Sequence, residues 1–216
     1  MIVTEEILLN ESPRVSSMFS YWRDEMYSKL KFWTLDDGID IHTEGHCERV
    51  LLLALKIGEK RQLLLRSMIA LCHASIFHDT RRKDNYLDRG HGDRAADYYK
   101  EFCEKNSMKF LPEVFAAIKY HDRNDEEGEE YIRREAPADE MEGWLEVYRD
   151  FKDADALDRF RLGPWGLNES FLRTEQTREL VDFARELVDK TIDPDVMKKT
   201  MDATRPFADK LLGKKK

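Results

Sequence analysis

The stretch QLLLRSMIALCHASIFH, residues 62–78, constrains the fold of this chain more than any other part of it. It has the length of a helix, and its apolar residues lie on almost every side of that helix instead of along one stripe. Such a helix is stable only where other elements cover it all round. The sequence therefore predicts a central helix inside a helical bundle.

The covering elements also show helical periodicity, whereas strand signals are scarce. Residues 44–60 predict a strong helix with Val50, Leu51, Ala54 and Leu55 facing inward. Further helices are predicted over 14–34, 93–106, 112–121, 141–163, 168–191 and 194–213. The highly charged residues 123–140 predict a mobile surface excursion that can serve as a lid. We expect one all-α domain over residues 1–216.

Composition and charge exclude several classes of protein. The 216 residues are 41% hydrophobic and 37% charged, which is typical of folded helices with solvated outer faces. The net charge of −8 argues against general binding to nucleic acid or to an anionic membrane, and no apolar run has the length of a membrane span. The N-terminus does not resemble a signal peptide, and the three cysteines form no CxxC pair. We therefore expect reduced thiols and a cytoplasmic protein.

Side chains of the metal-binding kind interrupt the helical pattern at separate places. His46 lies on the helix 44–60, His78 and Asp79 end the central helix, and Asp155 lies late in the helix 141–163. A hydrolytic divalent-metal site needs imidazole and carboxylate ligands that converge from different elements, and helical bundles build such sites in their cores. Successive residues of a regular helix point about 100° apart, so His78 and Asp79 can share an ion only where the helix ends.

The order and the surroundings of these residues resemble the HD superfamily of metal-dependent phosphohydrolases. His46 lies in H-x-x-R-V, an apolar run leads into His78-Asp79, and Asp155 lies in A-D-x-L-D-R. The resemblance covers about 40–165, so that 1–39 and 166–216 are expected to be helical additions to an HD-domain helical bundle.

The resemblance also implies a cofactor and a set of ligands. One or two divalent ions are expected, and Mn, Fe, Ni, Co, Mg and Zn all remain open. The ligands of the first ion are matched by His46, His78, Asp79 and Asp155. The two extra histidines of binuclear members are matched by His91 and His121, and in those members the Asp of the pair bridges both ions. The family attacks a phosphate ester with metal-bound water, and Asp79, His91 and His121 are the expected catalytic residues. If only one ion binds, His91 and His121 are expected to contact the phosphate or to act as acid and base near pH 7.

Three cations follow the His-Asp pair, and they are candidates for binding the substrate phosphate: Arg81, Arg82 and Lys83. An arginine suits bidentate contact with a phosphate, and a lysine supplies a point charge. Arg49 and Asp158, which stand inside the two matching motifs, are expected to support the metal ligands from behind.

Two further histidines call for a plainer interpretation. His42 lies four residues before His46, a spacing that can chelate on one helix face, but it precedes the expected start of the helix near Gly45. We therefore do not expect His42 to be a ligand. His73 lies on the central apolar helix and is expected to be a hydrogen-bonded core residue.

The leading functional hypothesis is a metal-dependent phosphohydrolase, a phosphomonoesterase or phosphodiesterase, acting on a nucleotide or another small phosphate ester. An HD-type mixed-valence diiron oxygenase is the first alternative, because it needs six His and Asp ligands as well. A non-catalytic HD domain that binds a nucleotide is the second. The expected partner is a small phosphorylated molecule, with no nucleic acid and no membrane, and a homodimer is open.

Overall fold

The computed structural model describes residues 1–33, 39, 41–85 and 88–211. Within this part of the chain there is no β-strand, and the all-α prediction is confirmed. The α-helices are α1 Glu5–Leu8, α2 Pro13–Lys29, α3 Glu44–Lys60, α4 Leu65–Phe77, α5 His91–Asn106, α6 Pro112–Tyr120, α7 Asp125–Glu135, α8 Met141–Leu157, α9 Glu175–Arg178, α10 Val181–Thr191 and α11 Pro194–Leu211. Two 3-10 helices, Asp158–Leu162 and Glu169–Phe171, lie between α8 and α9.

Helix α4 is the central helix that its sequence predicts. Every residue from Ala70 to Phe77 is buried, and the helix packs against α2, α3, α6 and α8. Full burial of one large apolar side chain contributes about 1.5–3 kcal/mol, so this part of the helix, which has no solvated face, depends on the packing for its stability.

Helix α3 packs along α4 and also contacts α2 and α8. Its predicted inward residues, Val50, Leu51, Ala54 and Leu55, are all fully buried. The helix starts where the sequence predicts, because the hydroxyl of Thr43 caps its N-terminus by accepting a hydrogen bond from the His46 N–H at 3.3 Å. This cap places His46 in the first turn, facing the end of α4.

The structure corrects the interpretation of residues 123–140. Instead of an irregular excursion, they contain the regular helix α7, which packs on α6 and α8 through the buried Ile132. Asn124 caps its N-terminus through the N–H of Glu127, and its acidic first turn and basic last turn both match the helix dipole. Because Ile132 is the one large apolar side chain that α7 buries, its sequence shows little apolar periodicity and looks mainly charged.

The prediction of a single helix over 168–191 is also wrong, since these residues form a 3-10 helix, α9 and α10. Helices α10 and α11 both pack against the 3-10 helix Asp158–Leu162, which continues α8. This 3-10 helix is therefore held between the end of α8 and the C-terminal helices.

No helix in the described ranges combines the length and the apolarity needed to cross a membrane. The three cysteines, Cys47, Cys72 and Cys103, are buried free thiols. Burial raises the pKa of the Cys47 thiol well above its ordinary value and raises that of Cys103 to about 11.

Candidate metal centre

The six ligands suggested by the sequence meet in one buried cluster, and each comes from the end of a helix. These residues are His46 in the first turn of α3, His78 and Asp79 at the end of α4, His91 at the start of α5, His121 at the end of α6 and Asp155 in the last turn of α8. Because α4 ends at Phe77, the backbone turns after His78, and both members of the His-Asp pair face the cluster.

His46 is oriented from behind by Asp158. The Nδ1–H of His46 donates to Asp158 Oδ2 at 2.8 Å, and both atoms are fully buried. Arg49, one turn along α3, donates to the same carboxylate from Nε at 2.6 Å and from Nη2 at 3.2 Å. With its Nδ1 proton bound in this way, His46 presents the lone pair of Nε2 to the cluster, an arrangement typical of histidines that bind metals.

The other three predicted histidine ligands have the same orientation, because each places Nδ1 against a backbone carbonyl three residues earlier in the chain. The distances are 2.8 Å from His78 to the oxygen of Ser75, 2.7 Å from His91 to that of Asp88 and 2.7 Å from His121 to that of Ile118. A carbonyl oxygen can only accept, so Nδ1 carries the proton of each neutral ring. The Nε2 atom of each ring is then a lone-pair donor that points inward.

These Nε2 atoms lie at hydrogen-bond distance from one another, although neutral rings that carry their proton on Nδ1 place no proton between them. His46 Nε2 is 3.1 Å from His78 Nε2, and His91 Nε2 is 2.9 Å from His121 Nε2. Two lone pairs at such distances repel each other unless a cation or a proton lies between them. Two nitrogen ligands about 2.1 Å from one ion and at right angles to each other are about 3.0 Å apart, so both pairs have the spacing of neighbouring metal ligands.

Asp79 lies between the two histidine pairs and offers one oxygen to each side. Its Oδ2 is 3.5 Å from His46 Nε2 and 3.7 Å from His78 Nε2. Its Oδ1 is 3.3 Å from His91 Nε2 and 3.6 Å from His121 Nε2. Asp155 Oδ1 completes the first side at 3.2 Å from His46 Nε2. Asp79 is thus placed to bridge two ligand groups.

The protonation states suit a cation. Burial lowers the pKa of His78 to about 3, so its ring is neutral near pH 7. Burial alone would raise the pKa of Asp79 and Asp155, but the surrounding histidines hold both well below their ordinary value. Burial likewise opposes protonation of His46 and His121, yet neighbouring carboxylates raise the pKa of both rings. Protons and a metal ion therefore compete for the same Nε2 atoms.

The donor set fits a divalent ion. Asp79 Oδ1 is buried and has no hydrogen-bond partner among the described residues, which is costly for a carboxylate oxygen unless a cation neutralises it. Three overlapping groups have ligand atoms within 4.8 Å of one another: His42, His46 and Asp79; His46, His78 and Asp155; and His78, Asp79 and His121. A set dominated by imidazole suits Fe, Co, Ni or Zn better than Mg.

His42 is a site residue that the sequence analysis set aside. Its Nδ1 lies 2.7 Å from Asp79 Oδ2, although the helix begins only at Glu44. Burial lowers the pKa of His42 to about 3, and 16% of its side chain is exposed at the rim of the cluster. The spacing of four residues to His46 is the sequence signal for His42, but a spacing on one helix face does not describe a residue that precedes the helix.

Asp122, the residue after His121, is a further member of the site. It is buried, and its Oδ2 accepts from the Gly90 N–H at 3.1 Å and lies 3.4 Å from His91 Nδ1. This carboxylate ties the start of α5 to the end of α6. It therefore holds His91 against His121.

The three cations expected to bind phosphate have three different surroundings. Arg82 faces the cluster, with Nη1 3.1 Å from His91 Nε2 and 3.8 Å from Asp79 Oδ1. Arg81 turns away: its guanidinium stacks 3.3 Å from the ring centroid of Tyr98 and donates to backbone carbonyls. The Lys83 side chain is exposed, and its backbone N–H donates to Asp88. The guanidinium of Arg81 is thus engaged away from the cluster, and its role in binding the substrate stays a prediction.

His73 confirms its core interpretation. It is 2% exposed, its Nδ1 is 3.0 Å from the Tyr99 hydroxyl, and burial lowers its pKa to about 4.

Comparisons of the chain with protein-family models, with curated proteins and with solved structures gave no match. The candidate metal centre rests on the geometry of its own residues.

Proposed function

We propose that this chain is an HD-type metal-dependent phosphohydrolase that acts on a nucleotide or another small phosphate ester. The observation that carries the proposal is the meeting of four oriented Nε2 lone pairs on the two oxygens of one buried aspartate. The order of the ligands along the chain, with His-Asp at a helix end, supports the HD assignment.

The residues divide into two ligand groups. His46, His78, Asp79 and Asp155 would hold a first ion, and Asp79, His91 and His121 would hold a second. A divalent ion bound there would acidify a water molecule and neutralise the charge of phosphoryl oxygens. Asp158 and Arg49 fix the ring of His46, and Asp122 fixes that of His91, so that the ligands are positioned before any ion binds.

Arg82 and the exposed edge of the cluster supply the remaining functions. The guanidinium of Arg82 lies beside Asp79 and His91, where it can neutralise charge on a transferring phosphoryl group. Asp155, with 28% of its side chain exposed, and His42 form the open edge of the cluster. A substrate approaching at this edge would reach the ligands without unfolding of the helical bundle.

Metal analysis and a phosphate-release screen test the proposal. We expect the purified chain to bind one or two divalent ions per molecule and to release phosphate from at least one ester with Mn, Ni, Co or Mg. His78→Ala and Asp79→Ala should each lose metal and at least 100-fold in turnover, since they remove ligands. His73→Gln, five residues before His78 on α4, is the matched control and should keep both. Turnover like that of the wild type in either ligand variant would refute the site.

The mixed-valence diiron oxygenase remains the second candidate, because the cluster is rich in imidazole and has room for two ligand groups around Asp79. Two tightly bound irons per chain, with turnover that requires oxygen and no phosphate release from any ester, would favour it. A chain that binds neither metal nor any phosphate ester would instead favour a non-catalytic role.

A further inference from the structure

The 3-10 helix Asp158–Leu162 carries a buried cation whose donors are only partly satisfied. Arg161 is 3% exposed, and its Nε donates to the carbonyl of Ile41 at 2.6 Å. Its Nη1 is buried and has no hydrogen-bond acceptor among the described residues; the nearest carboxylate oxygen, Asp158 Oδ2, is 3.6 Å away. A buried guanidinium N–H without an acceptor is costly, and among the described residues this donor is left for a further acceptor.

The nearby carboxylate does not compensate Arg161 fully, because Asp158 already has other partners. It accepts from His46 Nδ1 and, at closer range, from both Nε and Nη2 of Arg49. Two buried guanidinium groups thus share one carboxylate. The charge of Arg161 also reaches the metal cluster: burial opposes ionisation of Asp155, and Arg161 is among the groups that hold the pKa of this carboxyl well below its ordinary value.

A second arginine of the same 3-10 helix adds to this positive charge. Arg159 donates from Nε to the carbonyl of Gly166 at 2.7 Å and has no carboxylate at ion-pair distance within the described ranges. Burial, and after it the charge of Arg161, lowers the pKa of Arg159, while Asp155 raises it. Arg159 and Arg161 are two residues apart on this 3-10 helix, and the charges of both act on Asp155 at the open edge of the metal cluster.

We propose that Arg159 and Arg161 bind an oxyanion, the phosphoryl group of a phosphate ester or inorganic phosphate, at the edge of the cluster formed by Asp155 and His42. An arginine presents two parallel N–H donors to phosphate oxygens, and a tetrahedral oxyanion offers enough acceptors for both residues. This proposal rests on the proposed function and adds the 3-10 helix after Asp155 to the phosphoryl contact assigned to Arg82.

Binding of inorganic phosphate to the full chain loaded with Mn²⁺ tests the proposal by isothermal titration calorimetry. The variants are Arg159→Gln, Arg161→Gln and Arg161→Lys; the last keeps the charge but loses the paired donors. We expect Arg159→Gln and Arg161→Gln each to weaken phosphate binding about tenfold or more, the effect of losing a hydrogen bond to a charged group. Arg161→Lys should recover part of the loss, and the affinity for Mn²⁺ should stay within about twofold.

Arg134→Gln, which removes the same charge from the exposed face of α7, is the matched control and should bind phosphate like the wild type. Because Arg161 also holds the carbonyl of Ile41, Arg161→Gln can fail to fold; the variants Arg159→Gln and Arg161→Lys then decide. Phosphate binding equal to the wild type in Arg159→Gln and Arg161→Lys overturns the proposal, as does the absence of phosphate binding by the wild type.

The two proposals fail separately. If the wild type binds phosphate through these arginines but hydrolyses no ester, the function is wrong and the oxyanion site stands. If an ester is hydrolysed with the KM unchanged in Arg159→Gln and Arg161→Lys, the function stands and the oxyanion site is wrong.

Discussion

Gly92 is the position where a single methyl group should separate the two halves of the cluster. It is the second residue of α5, where this helix meets the end of α6. A Cβ at Gly92 would lie 2.7 Å from the Lys119 carbonyl oxygen, 2.8 Å from that of Ile118 and 2.9 Å from Asp122 Oδ1. Ordinary contact begins at 3.4 Å, so the start of α5 must move by about 0.5–0.7 Å.

This movement acts directly on the second ligand group. His91 is the neighbour of Gly92, and the carbonyl of Ile118 also holds His121 Nδ1 at 2.7 Å. We expect Gly92→Ala to cost about 1–3 kcal/mol as overpacking and to lower Tm by roughly 2–4 °C per kcal/mol. It should weaken metal binding by His91 and His121 by about 10–100-fold, as the loss of a supporting contact does.

The assay combines thermal unfolding with metal content at limiting free metal. The chain offers a matched control in Gly143→Ala, because a Cβ at Gly143 on α8 meets nothing within 4 Å. This variant should be stabilised by about 0.5–1 kcal/mol, the gain of alanine over glycine in a helix, with unchanged metal content. If Gly92→Ala matches Gly143→Ala in both Tm and metal content, the reasoning about this contact is refuted.

Arg82→Ala should lower turnover of the best substrate about tenfold or more. Arg81→Ala should keep turnover but lower the free energy of unfolding by about 1–2 kcal/mol, because it removes the contact with Tyr98. Equal effects of the two variants on turnover would contradict this difference. Although burial opposes it, ion pairs with Arg173 and Lys152 lower the pKa of Asp125 to about 2. The ionised carboxylate therefore stabilises the fold above its unfolded pKa, near 3.9, and this stability is lost as the pH falls towards 2. Asp125→Asn should lower the free energy of unfolding, measured by urea unfolding, by about 1 kcal/mol at pH 7, a value discounted for partial exposure. The difference should shrink progressively below about pH 4. Equal stability of variant and wild type at pH 7 would contradict this prediction.

The elements with a strong apolar period could be predicted from the sequence, because their burial follows from local pattern. The inward face of α3 and the all-round burial of α4 are examples. The meeting of His46, His78 and Asp155 could also be predicted, since each lies at the start or the end of a helix of the bundle and the three follow one another in a recognisable order of motifs. Here pattern and packing point to the same answer.

Features that depend on the path of the backbone between helices could not be predicted. Arg81 and Arg82 are adjacent in sequence, and only the turn after α4 decides that one stacks on Tyr98 while the other faces Asp79. His42 reaches Asp79 from an extended segment, which a helical spacing does not describe. For α7, the N-cap residue and the order of the charges indicate a helix, but the segment lacks the apolar face by which a packed helix is recognised in a sequence.

The buried thiol of Cys47 lies beside the cluster, so its reaction with a thiol reagent can report how often this part of the bundle opens. Its Sγ lies 3.9 Å from His78 Nδ1 and is shielded from solvent, and its raised pKa keeps it as the unreactive thiol. A thiol reagent can reach it only when α3 separates from α4, so its labelling rate, read by peptide mapping, measures how often this part of the bundle opens. Any ion held by His46 and His78 joins these same two helices, and the half-time of labelling is therefore expected to lengthen with each increment of bound metal.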